Sequence, residues 1–570
     1  MAEDNDKEAS MLDLVIRDGL VVDGSGLPGR RGDVGIRDGR IVSVGGRAGE
    51  ARRTLDATGK VVAPGFIDPH THYDAQLCFD PYAFPALEHG VTTVVPGNCS
   101  LSLAPLRADQ RPAFSRMFRL IEEMPEAAFD AGVDWRWGEG FGAWLDALSE
   151  DLALNVAPLV GHSVLRMYVM GPDAQERTAT AEEIAAMADA LRACLDAGAV
   201  GMSTSFVDVD DSYRPVPSRW AGPEELDALA AVLGERDRIL QIVHEFFDAD
   251  LTIARVEQLA ELSLRHQITT TLSPLFHNST TPDAVPRVME AVAAARARGA
   301  AVWPQAQTRP IDISFTLDQR SLMLLTMPGW WKVASIADHA EKVTAIGERR
   351  DALIAEMDAL AQRPGRGRGA GDFTVREVVH ERNADLVGRT IADIADERGC
   401  THGEAVVDLV LDEDLGTWFI RASVGHDDSA FVGELLADPL VHVGASDGGA
   451  HVGSFSTFGD TGYLFSEFVR GNGSLTLEQA VKKITLDPAT IWGLDGRGLL
   501  APGNAADVVV FDAERIGRGP EIASDDFPGE GIRWIRRQEG IDAVVVNGEV
   551  SWTAQDGYVA DARAGVIATR

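Results

Sequence analysis

Two histidines one residue apart, His70 and His72 in the stretch FIDPHTHYD (residues 66–74), follow a largely apolar run, VVAPGF. Residues i and i+2 of a strand face the same side, so both imidazoles project together from the strand's end. Two neutral imidazoles on one side are two nitrogen ligands for a divalent cation such as zinc. A lone HxH is read equally well as a polar strand end with two solvated histidines. The flanking Asp68 and Asp74 either orient the imidazoles as acceptors or cap the strand.

Further strand ends carry similar residues. Eight apolar, β-rich runs lie at 61–68, 91–98, 155–162, 199–206, 239–246, 268–276, 301–308 and 441–448. The second ends in Asn98-Cys99, the third in His162, and the fourth carries Met202 to Ser205. The fifth offers His244-Glu245 and the sixth ends in His277-Asn278. The eighth ends in Ser446-Asp447, followed by His451. Five of the thirteen histidines (His70, His72, His162, His244, His277) thus fall at strand ends, which a metal centre explains economically.

Helical patterns separate most of these runs. The clearest, AEEIAAMADALRACLDAG (181–198), closes on Gly198 as a C-cap. Eight nearly continuous apolar strands alternating with helices predict an α/β fold, a (β/α)8 TIM-like barrel with its chemistry at the strands' C-terminal ends. A doubly wound open sheet is the alternative, weakened because no G-x-G-x-x-G follows the first strand.

The two ends of the chain read differently. LDLVIRDGLVVDGSG and GDVGIRDGRIVSVG alternate apolar residues with Asp-Gly turns, and AADVVVFDAE and IDAVVVNGEV supply strands near the other end, the latter with an Asn-Gly turn at 547–548. The expected organisation is a β-sandwich domain built from residues 1–62 and 496–570, enclosing a barrel at 63–495. The long gap before the eighth strand predicts an insertion at about 311–440. It holds an aromatic and Met-rich segment, SFTLDQRSLMLLTMPGWW (314–331), and a Gly/Arg-rich linker, RPGRGRGAGDF (363–373).

Composition narrows the function classes. The 570 residues include 52 Lys+Arg against 88 Asp+Glu, a net charge of −36. That argues against nucleic acid, which needs clustered positive charge, and against an anionic membrane surface. Four cysteines are too few for a disulfide framework. The start, MAEDNDKEAS, lacks the features of a signal peptide, and no apolar run approaches a membrane span, so the expected location is the cytoplasm.

Taken in order, VVAPGFIDPHTHYD, GVTTVVPGNCS, HEF, LFHN and ASDGGAH resemble the amidohydrolase superfamily, and within it the D-aminoacylase (N-acyl-D-amino-acid deacylase) branch. GRGLLAPGNAADVVVFD (496–512) is similar to that family's return into its composite β-domain. The resemblance implies one or two zinc ions per chain. His70 and His72 would bind one metal position; Cys99, His244 and His277 would form the other. Cys99 stands where many relatives use a modified lysine on the fourth strand, and GMSTSF has no lysine there. Asp447 would be a metal ligand and the catalytic acid/base, with metal-bound hydroxide attacking a linear amide of a small-molecule N-acyl substrate. His162, Tyr213, Arg309 and His451 are candidate substrate-binding residues. Homo-oligomers are common in the family.

The family's carboxylate-binding cations are missing. After the sixth-strand histidine the chain reads HNST, and after Asp447 no arginine occurs before Arg470. A buried carboxylate without a cation is costly. The expectation is therefore an amide bearing a bulky apolar group, in a pocket lined by the 314–331 segment, with Arg309 as a replacement cation. Cyclic-amide (dihydropyrimidinase-like) and ester or lactone hydrolysis are the alternatives; a non-catalytic scaffold is the remote one.

Overall fold

The computed structural model describes residues 11–362, 369–444, 446–529 and 531–569. The MAEDNDKEAS start and residues 363–368 of the expected linker lie outside them.

Each of the eight β-rich runs contains a barrel strand: Phe66–Asp68, Val91–Val94, a split third (Asn155–Val156 and Leu159–Gly161), Gly201–Ser205, Ile239–Val243, Thr269–Ser273, Ala301–Ala306 and His442–Val443. Neighbours pair in parallel. The first half of the split strand pairs with the second strand and its second half with the fourth. A parallel bridge between Thr71 and Gly448 joins the first strand's end to the eighth's and closes the barrel. Strands such as Gly201–Ser205 and Ile239–Val243 are buried throughout, as a barrel sheathed by helices requires. Among those helices, Ala181–Ala197 starts at a capping box of Thr180 and Glu183 and stops at Gly198.

Both ends of the chain build one nine-stranded sheet, in which Val61–Pro64 lies between Leu12–Val21 and Val508–Phe511. The period of two gives it two buried faces. Val508 and Val510 join Leu14, Ile36 and Val545 in one core, whereas Val509 and Phe511 join Val544 and Phe66 in the core shared with the barrel. The run 61–68 is therefore two strands, not one. Its break is Gly65, where a Cβ would stand 2.1 Å from Thr92 Oγ1. Asp38-Gly39 and Asn547-Gly548, all at positive φ, make two-residue hairpins. Asp18-Gly19 does not turn the chain: it is a bulge inside the ten-residue strand Leu12–Val21.

The segment before the eighth strand has its own three-stranded antiparallel sheet (Ile313–Phe315, Trp418–Arg421, Thr374–Glu377) and its own core around Phe315, Trp330, Phe373 and Phe419. Among the described residues no helix is long and apolar enough to cross a membrane.

Candidate metal centre and cavity

At the barrel mouth the first strand delivers His70 and His72, both buried. Each ring presents Nε2 to the group and has a polar neighbour at Nδ1, a hydrogen bond for His70 and a close carboxylate for His72. Ser273 Oγ lies 3.1 Å from His70 Nδ1, and Glu122 Oε1 lies 3.0 Å from His72 Nδ1. Fixing one ring nitrogen selects the other as the ligand atom. Cys99 Sγ stands 3.5 Å from His70 Nε2 and 3.6 Å from His72 Nε2. Asp447 Oδ1 lies 3.2 Å from His70 Nε2 and 3.8 Å from His72 Nε2. Zinc–nitrogen bonds of about 2.0–2.1 Å and zinc–sulfur bonds of about 2.3 Å put neighbouring ligand atoms of a tetrahedron about 3.5 Å apart. Cys99 and Asp447 each stand near that spacing from the two imidazoles, and His70, His72 and Cys99 form a compact three-donor group with Asp447 beside it.

The supporting loops explain why these residues converge. Cys99 and Asp447 both take left-handed φ, 53° and 58°, which side chains adopt only when their surroundings enforce it. Asn98 Nδ2 donates to Val95 O, and Asp74 accepts from Gly97 N–H at 3.0 Å. On the fourth strand, Ser203 Oγ accepts from Ser100 N–H and donates to Gly97 O. Asp68 accepts from Ser446 Oγ at 2.7 Å, next to Asp447. Asp68 and Asp74 thus brace the ligand-bearing turns and do not contact the imidazoles. Burial pushes both carboxyls up to about 7. It also drives the Cys99 thiol and the Glu122 carboxyl well above, and His72 below, their usual values. Burial alone would raise Asp447 too, but the His70 hydrogen bond and the charges of His70, His451 and His72 hold it well below the usual carboxylate range.

Above this floor opens a cavity of about 420 Å³. Its walls are apolar, with Phe246, Phe276 and Val243 from the barrel and Ile313, Met323 and Trp331 from the inserted segment. Among the described residues its lining contains no lysine or arginine. His451 lines it, stacked on Phe455 at 5.2 Å.

Two expected ligands are not brought to the group. His244 is held by Thr252 Oγ1 and Pro274 O, each 3.1 Å from its ring, and burial lowers it to about 4. It lines a neighbouring hollow instead. His277 stacks on Phe431 at 4.0 Å, its Nε2 3.9 Å from Asp427. Three proposed substrate contacts also lie elsewhere. His162 is buried between Thr204 and Glu225. Tyr213 packs edge-on behind Trp331 at 4.6 Å. Arg309 is committed to Asp460 and to Ser446 O. Two cavity acids escaped the sequence reading. Glu122 follows the helix Arg111–Ile121 rather than a strand, and Asp208 stands three residues past the fourth strand in VDVDD, an acidic run that was its available signal.

The amidohydrolase family profile (described as "Amidohydrolase family") matches residues 53–551, and that of the urease alpha-subunit N-terminal domain matches residues 1–65. The chain belongs to the amidohydrolase family. It is 30% identical to a D-aminoacylase of Alcaligenes xylosoxydans xylosoxydans over 96% of each chain. It is 32% identical to an N-acyl-D-glutamate deacylase of the same organism, over 94% of this chain and 93% of that one. Its fold matches the crystal structure of N-acyl-D-glutamate deacylase from Bordetella bronchiseptica, complexed with zinc and a phosphonate inhibitor, with a TM-score of 0.66 and 29% identity over 98% of this chain and 100% of that one. These relatives place it in the D-aminoacylase branch. It is a metal-dependent hydrolase acting on carbon–nitrogen bonds other than peptide bonds.

Proposed function

We propose that this amidohydrolase uses zinc to cleave a linear amide of an N-acyl compound that carries a bulky apolar group and no free carboxylate. One observation carries the reading: the three-donor group of His70, His72 and Cys99, with Asp447 beside it, forms the floor of an apolar cavity whose described lining offers three carboxylates, Glu122, Asp208 and Asp447, and no lysine or arginine. Away from the ion, a substrate carboxylate would be desolvated with no basic side chain to pair with and would face the ionised Asp447. Zinc is the ion in the Bordetella relative's structure, and the relatives' names supply the N-acyl class.

His70, His72, Cys99 and Asp447 would hold the ion. Bound there, zinc supplies an activated water and polarises the scissile carbonyl. Asp447, ionised and facing the cavity, accepts the attacking water's proton on its carboxylate and passes it to the leaving nitrogen. His451, whose Nδ1 is buried without a hydrogen-bond partner, faces the developing oxyanion. Glu122 sets a carboxyl group 3.0 Å from His72 Nδ1, on the side of the ring away from the ion. The apolar walls exclude bulk water and select the substrate.

The test is a substrate panel. N-acyl-D- and N-acyl-L-amino acids are compared with their neutral amides and with N-acyl arylamides and long-chain alkylamides. Neutral, apolar amides turned over at least tenfold better in kcat/KM support the reading; a preference for the free carboxylates overturns it.

A further inference from the structure

We infer that Arg309, clamped by Asp460, is a positioning residue that sets the orientation of Asp447. The inference rests on the reading of Asp447 as the proton carrier. Arg309 lies three residues beyond the strand Ala301–Ala306, with its side chain only 1% exposed and off the cavity lining. Its Nε donates to Asp460 Oδ1 at 2.6 Å and its Nη2 donates to Ser446 O at 2.8 Å. The other carboxylate oxygen of Asp460 accepts from Thr308, from the backbone N–H at 3.3 Å and the hydroxyl at 3.2 Å. Both faces of the clamp are thereby fixed to the seventh strand's end.

Ser446 O belongs to the peptide group that enters Asp447. Holding that carbonyl fixes the plane from which the Asp447 φ of 58° is measured. A non-glycine residue relaxes out of this region when its surroundings loosen. Two further ties complete the turn: Ser446 Oγ donates to Asp68, and Gly448 O accepts from His72 N–H at 2.8 Å. They bind the turn to the first strand, whereas Arg309 binds it to the seventh. With all three in place, Asp447 Oδ1 comes to 3.2 Å from His70 Nε2. The guanidinium carbon also lies 5.5 Å from the centre of the Phe455 ring, against which His451 stacks. One cation therefore backs both polar side chains that face the reacting group from the eighth strand's end. A planar fork with donors at a fixed angle suits this bridge; a lysine point charge reaches one partner and leaves the other.

The test compares wild type with Arg309→Lys, Asp460→Asn and Asp447→Asn, on zinc-loaded protein and the best amide of the panel. Zinc content, melting temperature, kcat, KM and the rate of zinc loss to a chelator are measured. Arg309→Lys is expected to lose about 10–100-fold in kcat, the range typical of outer partners of a metal site. Its KM stays within about threefold, because the residue lies off the lining. It melts as a folded protein and still loads zinc through His70, His72 and Cys99, but loses the ion several-fold faster once Asp447 no longer completes the donor set. Asp460→Asn shows the same pattern more weakly and serves where Arg309→Lys does not fold. If Asp447→Asn is inactive while both clamp variants keep wild-type kcat and zinc release, the inference is overturned and the proposed function stands. A tenfold rise in KM at unchanged kcat also overturns it, by making Arg309 a binding group. If Asp447→Asn keeps its activity, the proton-carrier reading falls and takes this inference with it.

Discussion

The two sides of the barrel mouth are built by different means. On the side of the first, second and eighth strands, His70, His72, Cys99 and Asp447 sit on turns that are tied to one another. Asp74 holds Gly97, Asp68 holds Ser446, and the His72 N–H holds Gly448 O. On the side of the fifth and sixth strands, His244 and His277 have partners of their own, Thr252 Oγ1 and Pro274 O in one case and the Phe431 ring in the other. Phenylalanines and the inserted segment's Met323 and Trp331 fill that side of the cavity. Convergent donor geometry needs ties between neighbouring strand ends, whereas apolar walls need only area. In the proposed function the first side carries the chemistry and the second selects the substrate.

The sharpest break of this comparison is on the polar side. Cys99→Ala removes the soft ligand from the floor, so metal content and activity should fall together, by more than the roughly 10–100-fold that losing an outer partner costs. Asp447→Asn keeps the shape and removes the proton acceptor; kcat should drop by about 10²–10⁴-fold with KM little changed. On the apolar side the effects are smaller and differ in kind. Trp331→Ala should raise KM for the bulky amide by about tenfold, the equivalent of about 1.4 kcal/mol of lost burial. It should leave metal content untouched, and steady-state kinetics on the same substrate checks this.

The smallest expected effect on activity is at His442, whose change is in stability at acid pH and leaves the neutral-pH rate alone. His442 is fully buried, accepts from Trp492 Nε1, and burial lowers it to about 3 from 6.5. The unfolded chain then binds one more proton than the fold between those values. This contribution is complete above pH 6.5 and is lost as pH falls toward 3, on the order of a few kcal/mol in all. Urea midpoints measured across that range should fall with acidification, and His442→Gln should flatten the slope.

How much of this could be read in advance follows from range along the chain. The period of two put His70 and His72 on one face, and the eight apolar runs anticipated the eight barrel strands. Cys99 and Asp447 were visible as residues at strand ends. That both would join a metal site came from the family resemblance and not from spacing, because their convergence depends on left-handed turns held by partners as distant as Asp68 and Ser446. The placing of the His244 ring apart from His70, His72 and Cys99 was not legible, because strand position says where a side chain starts, while Thr252 and Pro274 hold the ring. Glu122 was invisible to a reading of strand ends, since a helix C-terminus delivers it. Gly65 was hidden because its need for space comes from Thr92 on the next strand.

We propose that His70, His72 and Cys99, with Asp447 beside them, hold the metal without His244 and His277, which lie apart from them. Elemental analysis of wild type, Cys99→Ala, His244→Gln and His277→Gln, purified side by side, tests it most directly. The account predicts about one divalent ion per chain in wild type and in both histidine variants, and its loss in Cys99→Ala. Metal that survives in Cys99→Ala and disappears with His244→Gln or His277→Gln would contradict it, as would a wild-type protein that holds none.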